Sequence, residues 1–235
     1  MEPGRLIAAG RAAQIFEYGN DRVLRRSMTG FSFAYEANVM ELARGFGVPV
    51  PAVHELRADD TEIVMDRIAG PTMVDWILHG PWRIRSAGRI LAEFHDAVHK
   101  VIAPTWLHDA GDGGRSLLHL DLHPLNIIMG PNGPVLIDWT NSARGKPGTD
   151  IAFTWMLLST GEPPSSPLMT KIIGAFRKAL VQSFVSRTDR AAAVAAFPYA
   201  AELHGCDPNL TDTERVAVAR LVRSVTGNTT EGAHD

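Results

Sequence analysis

The chain has 235 residues, 45% hydrophobic and 21% charged, a balance that fits one globular unit and excludes a disordered, fibrous or multidomain chain. A net charge of -3 provides no broad electrostatic attraction for nucleic acid or an anionic membrane, so neither is expected as a partner. The lone Cys206 can form neither an internal disulfide nor a cysteine zinc cluster. No run reaches the roughly 18 apolar residues that span a bilayer, and the start lacks the apolar core of a signal peptide, so the expected location is cytoplasmic.

In chain order, Leu6 to Ala9, Gln14 to Tyr18 and Arg22 to Arg25 read as short strands of a meander, separated by Gly10 and by the turn signal Gly19-Asn20-Asp21. From Phe33 to Phe46 the apolar residues recur at helical spacing, and Gly45 and Gly47 mark the end. Pro49 and Pro51 break that pattern, and Ala52 to Leu56 and Glu62 to Met65 pair as two more strands. The first third is thus five strands and one helix. Helices follow at Thr72 to Leu78 and Ile84 to Val98, then a loop at Gly111 to Gly114. Asn126 to Met129 and Val135 to Asp138 flank Gly130-Pro131-Asn132-Gly133-Pro134, which predicts a hairpin with a five-residue connection. Everything after Thr149 reads as helical, with breaks at Gly161 to Pro167, at Phe197-Pro198 and at Gly205 to Pro208, and with a frayed tail from Gly227 to Asp235.

The chemistry concentrates in His119-Leu120-Asp121-Leu122-His123-Pro124-Leu125-Asn126, with Asp138 twelve residues beyond Asn126. Phosphoryl transfer needs a carboxylate that orients or accepts the incoming hydroxyl's proton, and oxygen ligands that hold magnesium against nucleotide phosphates. Asp121 can fill the first role. Asn126 and Asp138, on adjacent arms of the predicted hairpin, offer a carbonyl and a carboxylate to a hard cation.

These motifs resemble the kinase-like phosphotransferases that include aminoglycoside phosphotransferases and choline kinases. H-L-D-L-H-P-L-N is similar to their catalytic loop, and I-D-W at Ile137 to Trp139 to their metal-binding segment. Gly145-Lys146-Pro147-Gly148-Thr149-Asp150 falls where the family carries an Asp that braces the catalytic loop. Val23-Leu24-Arg25 falls where a strand residue reaches the nucleotide phosphates, Glu36 where its ion-pair partner belongs, and Ile63 to Gly70 at the strand and hinge whose backbone around Asp66 to Ile68 would contact adenine. The resemblance spans about Leu6 to Leu158. It implies a bilobal α+β protein-kinase-like fold, with an N-terminal nucleotide-binding lobe over residues 1–68 and a mainly helical catalytic and substrate-binding lobe over residues 69–235. ATP and Mg2+ would be the cofactors, Asp121 the catalytic base, and Asn126 and Asp138 the metal ligands. Arg25, Glu36, Asp66 and Ile68 would complete the nucleotide site, with His119 and Asp150 as structural support.

Three departures stand out. Arg25 replaces the family's Lys, Leu120 stands where the family usually has Gly, and the nucleotide loop has only Gly10 among its alanines. Asp150 also reads as a helix N-cap with Thr149, a role compatible with bracing. Arg26 competes with Arg25 for Glu36, but alternation along a strand points it to the opposite face. His123 reads equally as a neighbour of the site or as packing; His95 reads as a core histidine, and Trp139, Phe153 and Trp155 as core. From Pro164 onward there are seven acids and eight bases, a balance that does not favour a polycationic acceptor. A small hydroxylated metabolite is expected. A protein kinase is disfavoured, because Trp139-Thr140 follows Asp138 where Phe-Gly would stand. Two other readings are a nucleotide-binding pseudokinase with a regulatory role, and a metal-dependent hydrolase with His119, Asp121 and His123 as ligands.

Overall fold

The computed structural model describes residues 2–10, 12–160, 167–206 and 210–227, with backbone alone for 167–173. The expected breaks at Gly161 to Pro167 and Gly205 to Pro208, and most of the expected frayed tail, lie largely outside the described residues. Strands β1 (Leu6–Ala9), β2 (Ala13–Tyr18) and β3 (Arg22–Ser27) form the expected meander. Helix α1 (Ala34–Gly45) follows, then β4 (Val53–Arg57) and β5 (Glu62–Asp66). The five strands make one antiparallel sheet in the order β1-β2-β3-β5-β4. Pairing of Arg25 with Ile63 and Arg26 with Glu62 fixes the register at the centre of that sheet. Alternation then sends Arg25 to the α1 side and Arg26 to the other, where it bonds Glu62 at 2.7 Å.

The second half is mainly helical. Thr72 caps α2 (Met73–Leu78) by accepting the Asp75 N–H. Helix α3 (Ile84–His99) buries Ala87, Leu91, Phe94, His95 and Val98 along one face. Strand β6 (Ser116–Leu118) pairs with β9 (Ala143–Gly145), and β7 (Ile127–Gly130) with β8 (Gly133–Leu136). Helices α4 (Pro147–Thr160), α5 (Pro167–Val185), α6 (Arg190–Gly205) and α7 (Asp212–Gly227) complete the chain. One apolar core runs from Ala13 and Phe33 under the sheet, through α3, to Trp139 and Phe184.

Three expectations need correction. The β7–β8 pairing reaches Gly130 and Gly133, so only Pro131 and Asn132 connect the strands. Pro134 is tolerated there because the two-stranded ladder leaves its ring on an open edge. The chain does not break at Phe197-Pro198: α6 runs through Pro198, because Phe197 and Ala200 pack into a core with Ala152 and Met156 of α4, and that burial outweighs a missing N–H bond. Asp150 does not cap α4. The helix begins at Pro147, and Asp150 lies buried in its first turn.

Candidate active site

A cleft of about 920 Å³ lies between the sheet and the β7–β8 hairpin. Ile15 and Val23 line it from the sheet, Ile128 and Ile137 from the hairpin, and Met65 to Gly70 along the connecting edge. Its polar side chains include Arg25, Glu36 and Asp138. A largely apolar slot with Arg25 in its wall can take a flat ring and an anionic tail.

The expected Arg25–Glu36 pair forms, with Nη1 donating to Oε1 at 2.7 Å. Burial pushes the Glu36 carboxyl up, and nearby Asp138 adds to this, against the opposing pull of Arg25 and the Trp139 N–H. Arg25 Nη2 also lies 3.5 Å from Asp138 Oδ1. One guanidinium therefore spans two carboxylates, which the fork of an arginine can do and an ammonium point charge cannot match.

Asp66 and Ile68 both line the cleft. The Asp66 carboxylate is occupied elsewhere, accepting from the Ala52 N–H at 3.0 Å and lying 2.7 Å from His54 Nε2. Burial alone would raise this carboxyl, yet those bonds hold it below its usual range. The Asp66 N–H is likewise engaged, donating to Ala52 O at 3.0 Å, so of its main-chain groups the carbonyl is the one left for a ligand. The hinge is pinned to the sheet by the Arg67 N–H, which donates to Asp21 O at 2.9 Å.

Asp121 sits in a loop organised by its own neighbours. Asn126 Nδ2 donates to Asp121 O at 2.9 Å and to Oδ2 at 3.0 Å. With the amide nitrogen so engaged, Asn126 Oδ1 is turned away and left for a cation. The Ile137 N–H donates to Asn126 O at 2.9 Å, which brings Asn126 beside the segment carrying Asp138. Two oxygen donors fit a magnesium ion that draws its other ligands from phosphates and water. His123 accepts the Leu125 N–H on Nδ1 at 3.2 Å, so Nε2 carries the ring proton and faces Asp121 Oδ1 at 3.3 Å. His123 is a neighbour of the site.

Asp150 ties this loop to the helices. Its Oδ2 accepts the His119 N–H at 3.1 Å and its Oδ1 the Leu120 N–H at 2.8 Å. Burial would raise the Asp150 carboxyl, but the neighbouring His95 and His99 imidazoles hold it well below the usual range. His99 Nε2 lies 2.9 Å from Asp150 Oδ2 and 3.4 Å from His95 Nδ1, so one hydrogen serves both acceptors. His95 Nε2 donates to Thr154 Oγ1 at 3.0 Å, and that hydroxyl donates to Leu122 O at 2.8 Å. Burial holds both His95 and His119 below the usual imidazole range, hence neutral.

His119 is fully buried, donates from Nε2 to Ile137 O at 3.2 Å and packs edge-on to Trp139. It does not converge with Asp121 and His123 as a ligand set. Among the described residues, the histidine and carboxylate atoms that gather within 4.8 Å belong to His95, His99 and Asp150. The hydrolase reading loses its ligands. His99 was not anticipated from the sequence; its signal is the spacing of four from His95 on one helical face. Thr140 was noted only as a departure, yet its hydroxyl contacts both Glu36 and Asp138.

The fold is kinase-like, and the comparisons are with phosphotransferases. Residues 85–193 match the family model described as phosphotransferase enzyme family. Among solved structures, a thermostable mutant of aminoglycoside phosphotransferase APH(4)-Ia in ternary complex with AMP-PNP and hygromycin B superposes with a TM-score of 0.63. It is 15% identical, and the match covers 98% of this chain and 94% of that one. A choline/ethanolamine kinase family protein from Mesorhizobium loti is similar at a TM-score of 0.51 and 14% identity, over 98% and 87% of the two chains. A curated relative from Methanoculleus marisnigri, a probable bifunctional tRNA threonylcarbamoyladenosine biosynthesis protein, is 26% identical over 230 residues and 87% of this chain. The chain spans only 38% of that relative's length. The similarity is thus to the aminoglycoside phosphotransferase and choline kinase family, in a bilobal α+β kinase-like fold. No described helix is long and apolar enough to cross a membrane.

Proposed function

We propose that the chain transfers the γ-phosphoryl group of ATP to a hydroxyl of a small molecule, with magnesium as cofactor. In this reading residues 1–68 hold the nucleotide and residues 69–235 carry catalysis and the acceptor. The main chain of Asp66 to Ile68 meets the base, and Arg25, fixed by Glu36, meets the phosphates. Asn126 and Asp138 hold magnesium, which when bound neutralises charge on the phosphates. Asp121 orients the acceptor hydroxyl and takes its proton as the new oxygen–phosphorus bond forms and the bond to the bridging oxygen of the leaving ADP breaks. Asn126 and His123 keep the Asp121 carboxylate in place, while Asp150 fixes the loop beneath it.

The observation that carries this reading is the meeting of the Arg25–Glu36 pair, at 2.7 Å, with Asp138 in the wall of the cleft. Hygromycin B and streptomycin occupy ternary complexes of two structural neighbours. Here the near balance of acids and bases from Pro164 onward supports a small hydroxylated metabolite over a polycationic antibiotic. The test is acceptor-dependent ADP release across a panel of sugars, amino alcohols, nucleosides and aminoglycosides. Asp121→Asn is expected to lower kcat by a factor on the order of 10²–10⁴, the usual contribution of a general base. Turnover unchanged in that variant contradicts the role. The pseudokinase reading draws on Arg25 and Leu120, and predicts nucleotide binding with no turnover for any acceptor.

A further inference from the structure

Thr140 occupies the position that first distinguished this chain from a protein kinase, two residues after Asp138. Its Oγ1 lies 3.1 Å from Glu36 Oε2 and 2.9 Å from Asp138 Oδ1. A hydroxyl has one hydrogen to donate, so the two carboxylates compete for it. Arg25 closes the circuit from the other side, with Nη1 on Glu36 Oε1 at 2.7 Å and Nη2 3.5 Å from Asp138 Oδ1. Arg25, Glu36, Thr140 and Asp138 therefore form a ring in which two acids share one guanidinium and one hydroxyl.

The ring treats its two acids differently. Glu36 is buried and also accepts the Trp139 N–H at 3.2 Å, whereas Asp138 is partly exposed on a left-handed backbone, with φ of +62°. Both ring contacts to Asp138 end on the single atom Oδ1, which leaves Oδ2 for a cation. A metal drawing on Asp138 weakens its hold on the shared hydrogen. Glu36, close by and buried, is the acceptor ready to take it.

We infer that Thr140 is a positioning residue: its hydroxyl holds the Asp138 carboxylate in the orientation that receives the metal, and the intact hydroxyl turns its hydrogen bond to Glu36 when Asp138 ligates the metal. The inference rests on Asp138 being the magnesium ligand of the proposed phosphotransferase site. It makes a demand that a simple packing role does not. The hydroxyl matters more to the gain in nucleotide affinity that magnesium confers than to metal-free nucleotide binding.

The experiment is calorimetric titration of ADP, with and without magnesium, into wild type, Thr140→Val and Thr140→Ser. Valine keeps the shape and removes the hydroxyl; serine keeps the hydroxyl. A hydrogen bond to a charged group corresponds to roughly a tenfold effect or more, so Thr140→Val is expected to lose about tenfold of the magnesium-dependent gain. Thr140→Ser should keep that gain within about twofold, each gain being read against the same variant's metal-free affinity. Where valine perturbs folding, Thr140→Ala makes the same comparison without added bulk. A full magnesium-dependent gain in Thr140→Val, or an equal loss in Thr140→Ser, overturns the inference while leaving the phosphotransferase reading intact. Wild-type protein that binds ADP with no gain from magnesium overturns both this inference and the metal role of Asp138.

Discussion

Leu120 has a backbone that its side chain does not favour. Its φ is +57°, in the left-handed region, where an L-residue other than Gly pays roughly 1–2 kcal/mol. Two things hold it there. Asp150 accepts its N–H at 2.8 Å, and its side chain is buried with Ala110, Leu118 and Ala143. The family's usual glycine would relieve the backbone, whereas this chain offsets the strain by burying a leucine. The usual order of truncation should therefore reverse. Leu120→Ala keeps the strain and opens a cavity, so a loss of about 2–5 kcal/mol is expected. Leu120→Gly loses the same packing but gains back about 1 kcal/mol or more of strain, partly offset by added unfolded-state entropy. Urea unfolding checks this, and an alanine variant more stable than the glycine variant contradicts it. At this scale the contact of Asn126 with Asp121 was legible because it spans five residues. Thr140 and His99 were not, because Thr140 meets Glu36 across 104 residues and His99 meets Asp150 across 51.

Most elements were legible from period and punctuation. The five strands and α1 lie where alternation, Gly19-Asn20-Asp21 and the Pro49 and Pro51 breaks put them, within a residue or two at each end. The misses have local causes. Glycines and a proline at 130–134 signal a turn, but the ladder extends into them, and Pro198 signals a break that packing against α4 overrides. Strands β6 and β9, three residues each, are too short to show a period. Between the hinge and the hairpin one glycine is required. Gly70 has φ of +152°, and a Cβ on it would lie 2.2 Å from Met129 O. The Met129 N–H donates to Pro71 O at 2.9 Å beside it, so neither backbone can retreat without breaking that bond. Gly70→Ala should cost about 2–4 kcal/mol in urea unfolding. Gly47→Ala, also at positive φ but with nothing within 4 Å of the added carbon, should cost nearer 1 kcal/mol. Equal losses at the two sites would contradict this account of the hinge.

Across the molecule, α1 is the element that joins the sheet to the catalytic segment. Glu36 accepts the Trp139 N–H, and Tyr35 on the same turn donates its hydroxyl to Ser142 O at 2.7 Å and accepts the His108 N–H at 3.2 Å. A shift of α1 therefore moves Arg25's partner and the segment around Asp138 together. None of this long-range order is visible in local periodicity. The arrangement of the lobes was legible only through the resemblance carried by the catalytic motifs, and the structural neighbours share that fold. The account stands on the cleft being a magnesium-dependent nucleotide site. The most direct measurement is calorimetric titration of ATP into wild type and Asp138→Ala, each with and without magnesium. The account predicts that wild type binds ATP, tightens with magnesium, and loses that tightening in Asp138→Ala. Absence of ATP binding by the wild type, or magnesium dependence unchanged by Asp138→Ala, would contradict it.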